Sequence, residues 1–248
     1  MCEDPCLLST MIHWIFSKTP LFNLQECLNN LEEFFSSDEI ETLQGFTVPK
    51  RKLEWLNSRL IIKSLVADTI LPKISLPLSA IEVQKMHTGV PFVVLNGTDR
   101  FGWLSLSHSQ EGVFAAFSQN QEYRFGVDTE FLEERSPELI SDFFTETESR
   151  WVDRFQGQER IYLANLIWSA KEAFLKAIEK GLQLDTRCVE ITPCDLSPTV
   201  FDWNALEFKI NGQSLKNWRL LYRQEGSYVL TLCLPADKQI EVSRIKFN

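Results

Sequence analysis

With 248 residues, 44% of them hydrophobic, the chain has enough apolar material for one large core or two modest ones, and its composition is not that of a disordered protein. A formal charge of −9 argues against general affinity for nucleic acid, so a polyanionic ligand has to be met by local positive charge. The six dispersed cysteines show no zinc-ribbon or redox spacing, the apolar run at 7–16 lacks the flanks of a signal peptide, and no stretch approaches the roughly 20 apolar residues of a membrane span. A reducing cytoplasm is the expected location.

In chain order, residues 11–16 read as a strand, residues 23–35 carry helix-spaced apolar side chains, and Ser36-Ser-Asp-Glu39 is a start signal for another short helix. After the Lys50-Arg-Lys52 cluster, residues 53–67 are apolar on most sides, which predicts a largely buried helix with Arg59 and Lys63 as its exceptions. Pro72 and Pro77 mark a loop, residues 81–85 and 91–95 read as two strands about a turn at Gly89, and Asn96-Gly97 makes a tight turn. Residues 103–107 alternate with a period of two and end at His108, and residues 112–118 form a further strand. The polar link at 119–122 is the expected boundary between an N-terminal half, 1–121, and a C-terminal half, 122–248.

The second half starts with a strand at 123–129, followed by a helical region at 137–144 and a long helix from about 159 to 180, with Gly181 placed as its C-terminal cap. Three or so strands follow, the last two at 218–223 and 228–234 forming a hairpin through Gln224-Glu-Gly-Ser227. Each half thus carries one long helix and several strands. The spacing of Trp55, Arg59 and Lys63 repeats in Trp168, Glu172 and Lys176, a hint of internal duplication.

Side chains two apart in a strand share a face, so Asp128 and Glu130 put two carboxylates on one side about 7 Å apart, either a magnesium-type oxygen site or a solvated acidic edge. On the long helix Ala164, Ile167, Lys171, Phe174, Leu175 and Ile178 form one stripe, while Glu172, Lys176 and Glu179 share another face. Lys171 therefore falls among apolar residues, where either a carboxylate meets it or its stem packs and its head escapes. Glu172 and Lys176 are either site groups or a surface pair worth about 0.3–0.5 kcal/mol.

Ser105-Leu-Ser-His-Ser109 lies where a strand gives way to a loop, so hydroxyls, backbone N–H groups and an imidazole can converge on a phosphate. His108 can equally be a buried histidine bonded to the main chain. The segment lacks the glycines of a nucleophile elbow, and three histidines in all argue against a histidine-rich metal site. Lys50, Arg51, Lys52 and Arg59 supply local positive charge; Arg59, on a mostly apolar helix, is the stronger phosphate candidate. Neither Gly-rich nucleotide-binding loop is present.

Taken in order, Ser105-Leu-Ser-His-Ser109, Gly126-Val-Asp-Thr-Glu130, Phe143-Phe-Thr-Glu-Thr-Glu148 and Trp168-Ser-Ala-Lys-Glu-Ala-Phe-Leu-Lys-Ala177, with Gly181-Leu182 behind them, resemble the 4′-phosphopantetheinyl transferases of the larger, two-halved, surfactin-synthetase-activating type. The resemblance covers about 50–182. It implies an α+β fold of two pseudo-symmetric halves, each a small, mainly antiparallel sheet packed on a long helix, with the active site at their interface. It implies transfer of the phosphopantetheine arm of coenzyme A to a serine of an apo carrier protein, with release of 3′,5′-ADP and with Mg2+ as cofactor, by a monomer.

In that reading Asp128, Glu130 and Glu172 hold the metal, Glu172 helps take the serine proton, and Lys176 lies against the pyrophosphate. Ser107 and His108 contact coenzyme A phosphates, and Arg59, with Arg51, meets the 3′-phosphate. Two departures stand out: Gly89-Val90-Pro91 lacks the basic residue usual between that glycine and proline, and Thr129 replaces an aliphatic residue. The rival from another class is a non-catalytic carrier-protein-binding module of the same fold.

Overall fold

The computed structural model describes residues 11–70, 76–181, 184–195, 202–236 and 240–246. Pro72 and Leu182, named above, and two of the six cysteines, Cys2 and Cys6, lie outside the described residues. The chain is mixed α+β. Its first elements are β1 (Met11–Ser17), α1 (Leu24–Asn29), α2 (Leu31–Phe34), α3 (Ser37–Gln44) and α4 (Pro49–Ile70). Five strands follow: β2 (Ile81–Lys85), β3 (Pro91–Leu95), β4 (Arg100–Phe101), β5 (Trp103–Ser109) and β6 (Gly112–Ser118). Then come β7 (Gly126–Phe131), α5 (Pro137–Phe143), α6 (Glu146–Val152), α7 (Gly157–Ala177) and β8 (Val189–Ile191). The last strands are β9 (Asn204–Leu206), β10 (Phe208–Ile210), β11 (Gln213–Ser214), β12 (Trp218–Glu225), β13 (Tyr228–Pro235) and β14 (Glu241–Arg244).

Two compact units result, one of Met1–Leu106, Val113–Glu122 and Gln239–Asn248, the other of Ser107–Gly112 and Tyr123–Lys238. Against halves cut once at 121/122, the chain changes unit additional times: 107–112 group with the second unit, and the last strand returns to the first by pairing in parallel with β1. The first unit has sheets ordered β14-β1-β6-β5 and β2-β3-β4; the second has β7-β13-β12-β9 and β11-β10-β8. Among the described residues no helix is long and apolar enough to cross a membrane.

Several expectations shift by local chemistry. The helix expected over 23–35 is broken at Asn30, and the strand expected from 123 starts at Gly126. Gly181 does not cap α7. The helix closes in a Schellman pattern at Glu179, whose φ is +55°: the Lys180 N–H donates to the Leu175 carbonyl at 3.0 Å and the Glu179 N–H to that of Lys176 at 3.1 Å.

Inside each unit a buried lysine on the long helix is held by the carboxylate of a helix-capping box. Ser36 and Glu39 cap α3 reciprocally, and the Glu39 carboxylate also accepts from Lys63 at 2.5 Å and from the Val83 N–H at 3.1 Å. Thr145 and Glu148 cap α6 in the same way, and Glu148 accepts from Lys171 at 2.7 Å and from the Ile191 N–H at 2.7 Å. Each lysine also donates to a carbonyl fifteen positions on, Leu78 or Thr186, at 3.0 Å.

Lys63 and Lys171 are both fully buried, which such a charge tolerates only when paired and hydrogen-bonded. Burial pushes both ammonium groups down and the Glu148 carboxyl up, while the pairing opposes it. The clamp therefore matches Lys63 with Lys171, not with Lys176 as the spacing of the tryptophans suggested.

Candidate active site

Asp128 and Glu130 stand on β7 with the same orientation, and α7 packs across that strand. The approach is close because residue 126 is glycine. A Cβ there would lie 2.0 Å from the Ala173 carbonyl oxygen and 2.9 Å from the Lys176 Cβ. With helix and strand in that contact, Lys176 Nζ reaches Asp128 Oδ1 at 2.7 Å. Ser107 Oγ donates to the same oxygen at 2.7 Å. The other carboxylate oxygen of Asp128 is buried without a hydrogen-bond partner, as is Oε1 of Glu172.

Desolvation pushes the Glu172 carboxyl up to about 7; Asp128 adds to the shift, Lys176 opposes it, and Glu130 adds a little more. Glu130 is also pushed up, by burial first and by Asp128 second, with Arg135 and Ser109 pulling it back. Its Oε2 accepts from Arg135 Nη2 at 2.6 Å and from Ser109 Oγ at 3.2 Å. Behind Arg135 stands Asn165, fully buried, whose Oδ1 accepts from the arginine Nε at 2.7 Å.

Buried acceptor oxygens without donors are costly unless a cation or proton meets them, so Asp128 Oδ2 and Glu172 Oε1 fit a divalent metal. Among the described residues, however, no three His, Cys, Asp or Glu side chains are gathered as a metal-holding set. Arg135 and Ser109 hold one oxygen of Glu130.

The structure thus brings Asp128, Glu130, Glu172, Lys176 and Ser107 together. Ser107 is buried, with its hydroxyl donating a hydrogen bond to Asp128, whereas its neighbour His108 is exposed, as alternation along β5 requires. Arg51 and Arg59 belong to the first unit. Arg51 is exposed; Arg59 is 4% exposed, lies over the Trp55 ring at 5.0 Å and keeps a buried Nε without a hydrogen-bond partner. Burial pushes its guanidinium down to about 10, against an opposing pull from Glu39.

Sequence reading did not single out Arg135, Asn165 or Ser109. A signal for Asn165 was present: it lies two helical turns before Glu172 and so on the same face of α7. Ser109 likewise sits two residues from Ser107, on the same side of β5.

Residues 124–233, which carry Asp128, Glu130, Glu172 and Lys176, match the 4′-phosphopantetheinyl transferase superfamily. That match spans less than half of the chain. It is 25% identical to the human L-aminoadipate-semialdehyde dehydrogenase-phosphopantetheinyl transferase over 228 residues, 86% of this chain and 71% of that protein. It is also 25% identical to the 4′-phosphopantetheinyl transferase gsp of Aneurinibacillus migulanus over 197 residues, 79% of this chain and 78% of that protein. The transferase signature and the cluster at Asp128, Glu172 and Lys176 therefore fall in the same unit.

Proposed function

We propose that the chain moves the 4′-phosphopantetheine arm of coenzyme A onto a serine hydroxyl of an apo carrier protein, releasing 3′,5′-ADP, with magnesium held by Asp128 and Glu172 while Glu130 stands beside them. One observation carries this reading: Asp128 and Glu172 each keep a buried carboxylate oxygen without a donor, and both feel the Lys176 ammonium. Magnesium is commonly held by one or two carboxylates together with substrate phosphates and water, which this pair of oxygens suits. When bound, the ion supplies the charge that lets an acidic site accept a diphosphate.

The remaining work falls to side chains. Glu172 would take the proton of the attacking serine hydroxyl, directly or through water. Lys176, paired with Asp128 Oδ1, would stabilise the charge that develops on the leaving phosphate. Ser107 holds Asp128 in its orientation. Arg59, with a buried donor to spare, and Arg51 are the candidates for the 3′-phosphate, and exposed His108 for another coenzyme A phosphate. No covalent enzyme intermediate is needed, so positioning and charge neutralisation supply the acceleration.

The experiment is incubation with coenzyme A, magnesium and a panel of apo carrier proteins, followed by mass spectrometry. Gain of one phosphopantetheine on a carrier serine is the expected result. Binding of carriers without any gain in mass, across the panel, would leave only a scaffold role.

A further inference from the structure

We propose that Ser109 is a positioning residue of the transfer site: its hydroxyl fixes one carboxylate oxygen of Glu130 and leaves the other for the metal, as Ser107 does for Asp128. The role rests on the magnesium site proposed above and gives Glu130 a share in its grip. All of the contacts involved lie within one unit.

The two carboxylates are held by the same device, repeated two residues further on along both β5 and β7. Asp128 Oδ1 accepts from Ser107 Oγ at 2.7 Å and from Lys176 Nζ at 2.7 Å, and its Oδ2 is left without a partner. Glu130 Oε2 accepts from Ser109 Oγ at 3.2 Å and from Arg135 Nη2 at 2.6 Å, and among the described residues its Oε1 makes no hydrogen bond. In each case one hydroxyl of β5 and one cation share a single oxygen. The second oxygen stays open in both.

The Ser109 hydroxyl has a set direction. The Phe131 N–H donates to its Oγ at 3.0 Å, so the single hydroxyl proton is left for the carboxylate. Arg135 is anchored in turn, its Nε on Asn165 Oδ1 at 2.7 Å, so Glu130 is clamped between a strand and a helix. A glutamate has one more rotatable bond than an aspartate, and without such ties it has to be ordered at the expense of metal binding. Groups that hydrogen-bond a ligating carboxylate typically carry about ten- to a hundredfold of metal affinity. Because serine is neutral, removing it changes the orientation of Glu130 without changing the charge of the cluster.

Manganese(II), followed by electron paramagnetic resonance in the presence of coenzyme A without carrier, reads the metal affinity apart from turnover. Ser109→Ala is expected to bind manganese about tenfold more weakly than the unmodified protein, and Ser109→Thr, which keeps the hydroxyl, to stay within about threefold. In a Glu130→Gln background Ser109→Ala should add less than about twofold, because the serine acts through that carboxylate. A merely structural tie between the strands would weaken the metal equally in both backgrounds.

If folded Ser109→Ala loses less than about threefold in affinity, or loses as much with Glu130→Gln as without it, the role is wrong. Should that variant not fold, Ser109→Cys, close in size and a weaker donor, decides by the same thresholds. Absence of any binding by the unmodified protein removes the magnesium site itself, and this role with it; binding that Ser109→Ala leaves intact removes this role alone.

Discussion

Where β1 of the first unit offers Ile15, opposite Ala115, β7 of the second offers Asp128, opposite Thr231; Ala115 and Thr231 occupy the same position counted from the start of β6 and β13. The same count sets His13 against Gly126, opposite Phe117 and Cys233. Along the helices, counted from the buried lysine of each clamp, Ser64 and Asp68 on α4 stand where Glu172 and Lys176 stand on α7. The match is consistent across elements: Asp68 influences His13 in one unit, and Lys176 lies against Gly126 in the other. Both units carry the same lysine–carboxylate clamp. In only one of the two do these positions carry two carboxylates and a lysine, and there a glycine lets the helix come close enough for them to meet.

The sharpest way to break the comparison is to remove the charge that the first unit lacks. Asp128→Asn should lower the rate of carrier modification about a thousandfold while thermal unfolding stays cooperative, since the side chain serves a cation and not the core. Retention of full turnover at limiting magnesium would refute the metal role.

The clamps should behave alike. Lys171→Met and Lys63→Met each leave a buried carboxylate unpaired and should each cost about 3–5 kcal/mol in urea unfolding. A clear difference between them would mean that the two clamps are not equivalent.

Gly126→Ala introduces a Cβ that meets the α7 backbone, and about 3 kcal/mol of lost stability is expected by the same measurement, together with slower transfer as Lys176 is pushed from Asp128. A fully stable, fully active Gly126→Ala would show that the close approach is dispensable.

The Glu172 carboxyl, raised in the folded protein from its ordinary 4.5 to about 7, gives the folded state its proton-linked advantage below about 4.5 and loses it as pH rises through 7. In EDTA, Glu172→Gln should therefore match the unmodified protein near pH 4.5 and exceed it by on the order of 2 kcal/mol at pH 8. Parallel stability curves for the two proteins would contradict the shift. The smallest effect belongs to the end of α7: Glu179→Gly relieves a left-handed residue and should stabilise by about 1 kcal/mol, read as a higher midpoint in thermal unfolding.

Much of the architecture is written locally. The strands at 103–107 and 228–234, the Ser36–Glu39 start signal and the turn at Gly226 each follow from residues a few positions apart, and each appears as expected, although 228–234 is buried on both faces. The order of the Ser-His, Asp-x-Glu and Lys-Glu segments likewise led to the transferase family without any coordinates.

Long-range partners were not legible in the same way. A lysine in an apolar stripe announced that it needed a carboxylate, but nothing in the residues around Lys171 named Glu148, which lies across a turn and a helix. That Glu130 is held by Arg135, that Asp128 shares one oxygen between Ser107 and Lys176, and that the repeat aligns on Lys63 and Lys171 are matters of which elements pack together. Periodicity decides which face a residue takes, because it depends only on local backbone geometry; which side chain waits on the other side depends on how distant segments close, and only the tertiary structure decided that.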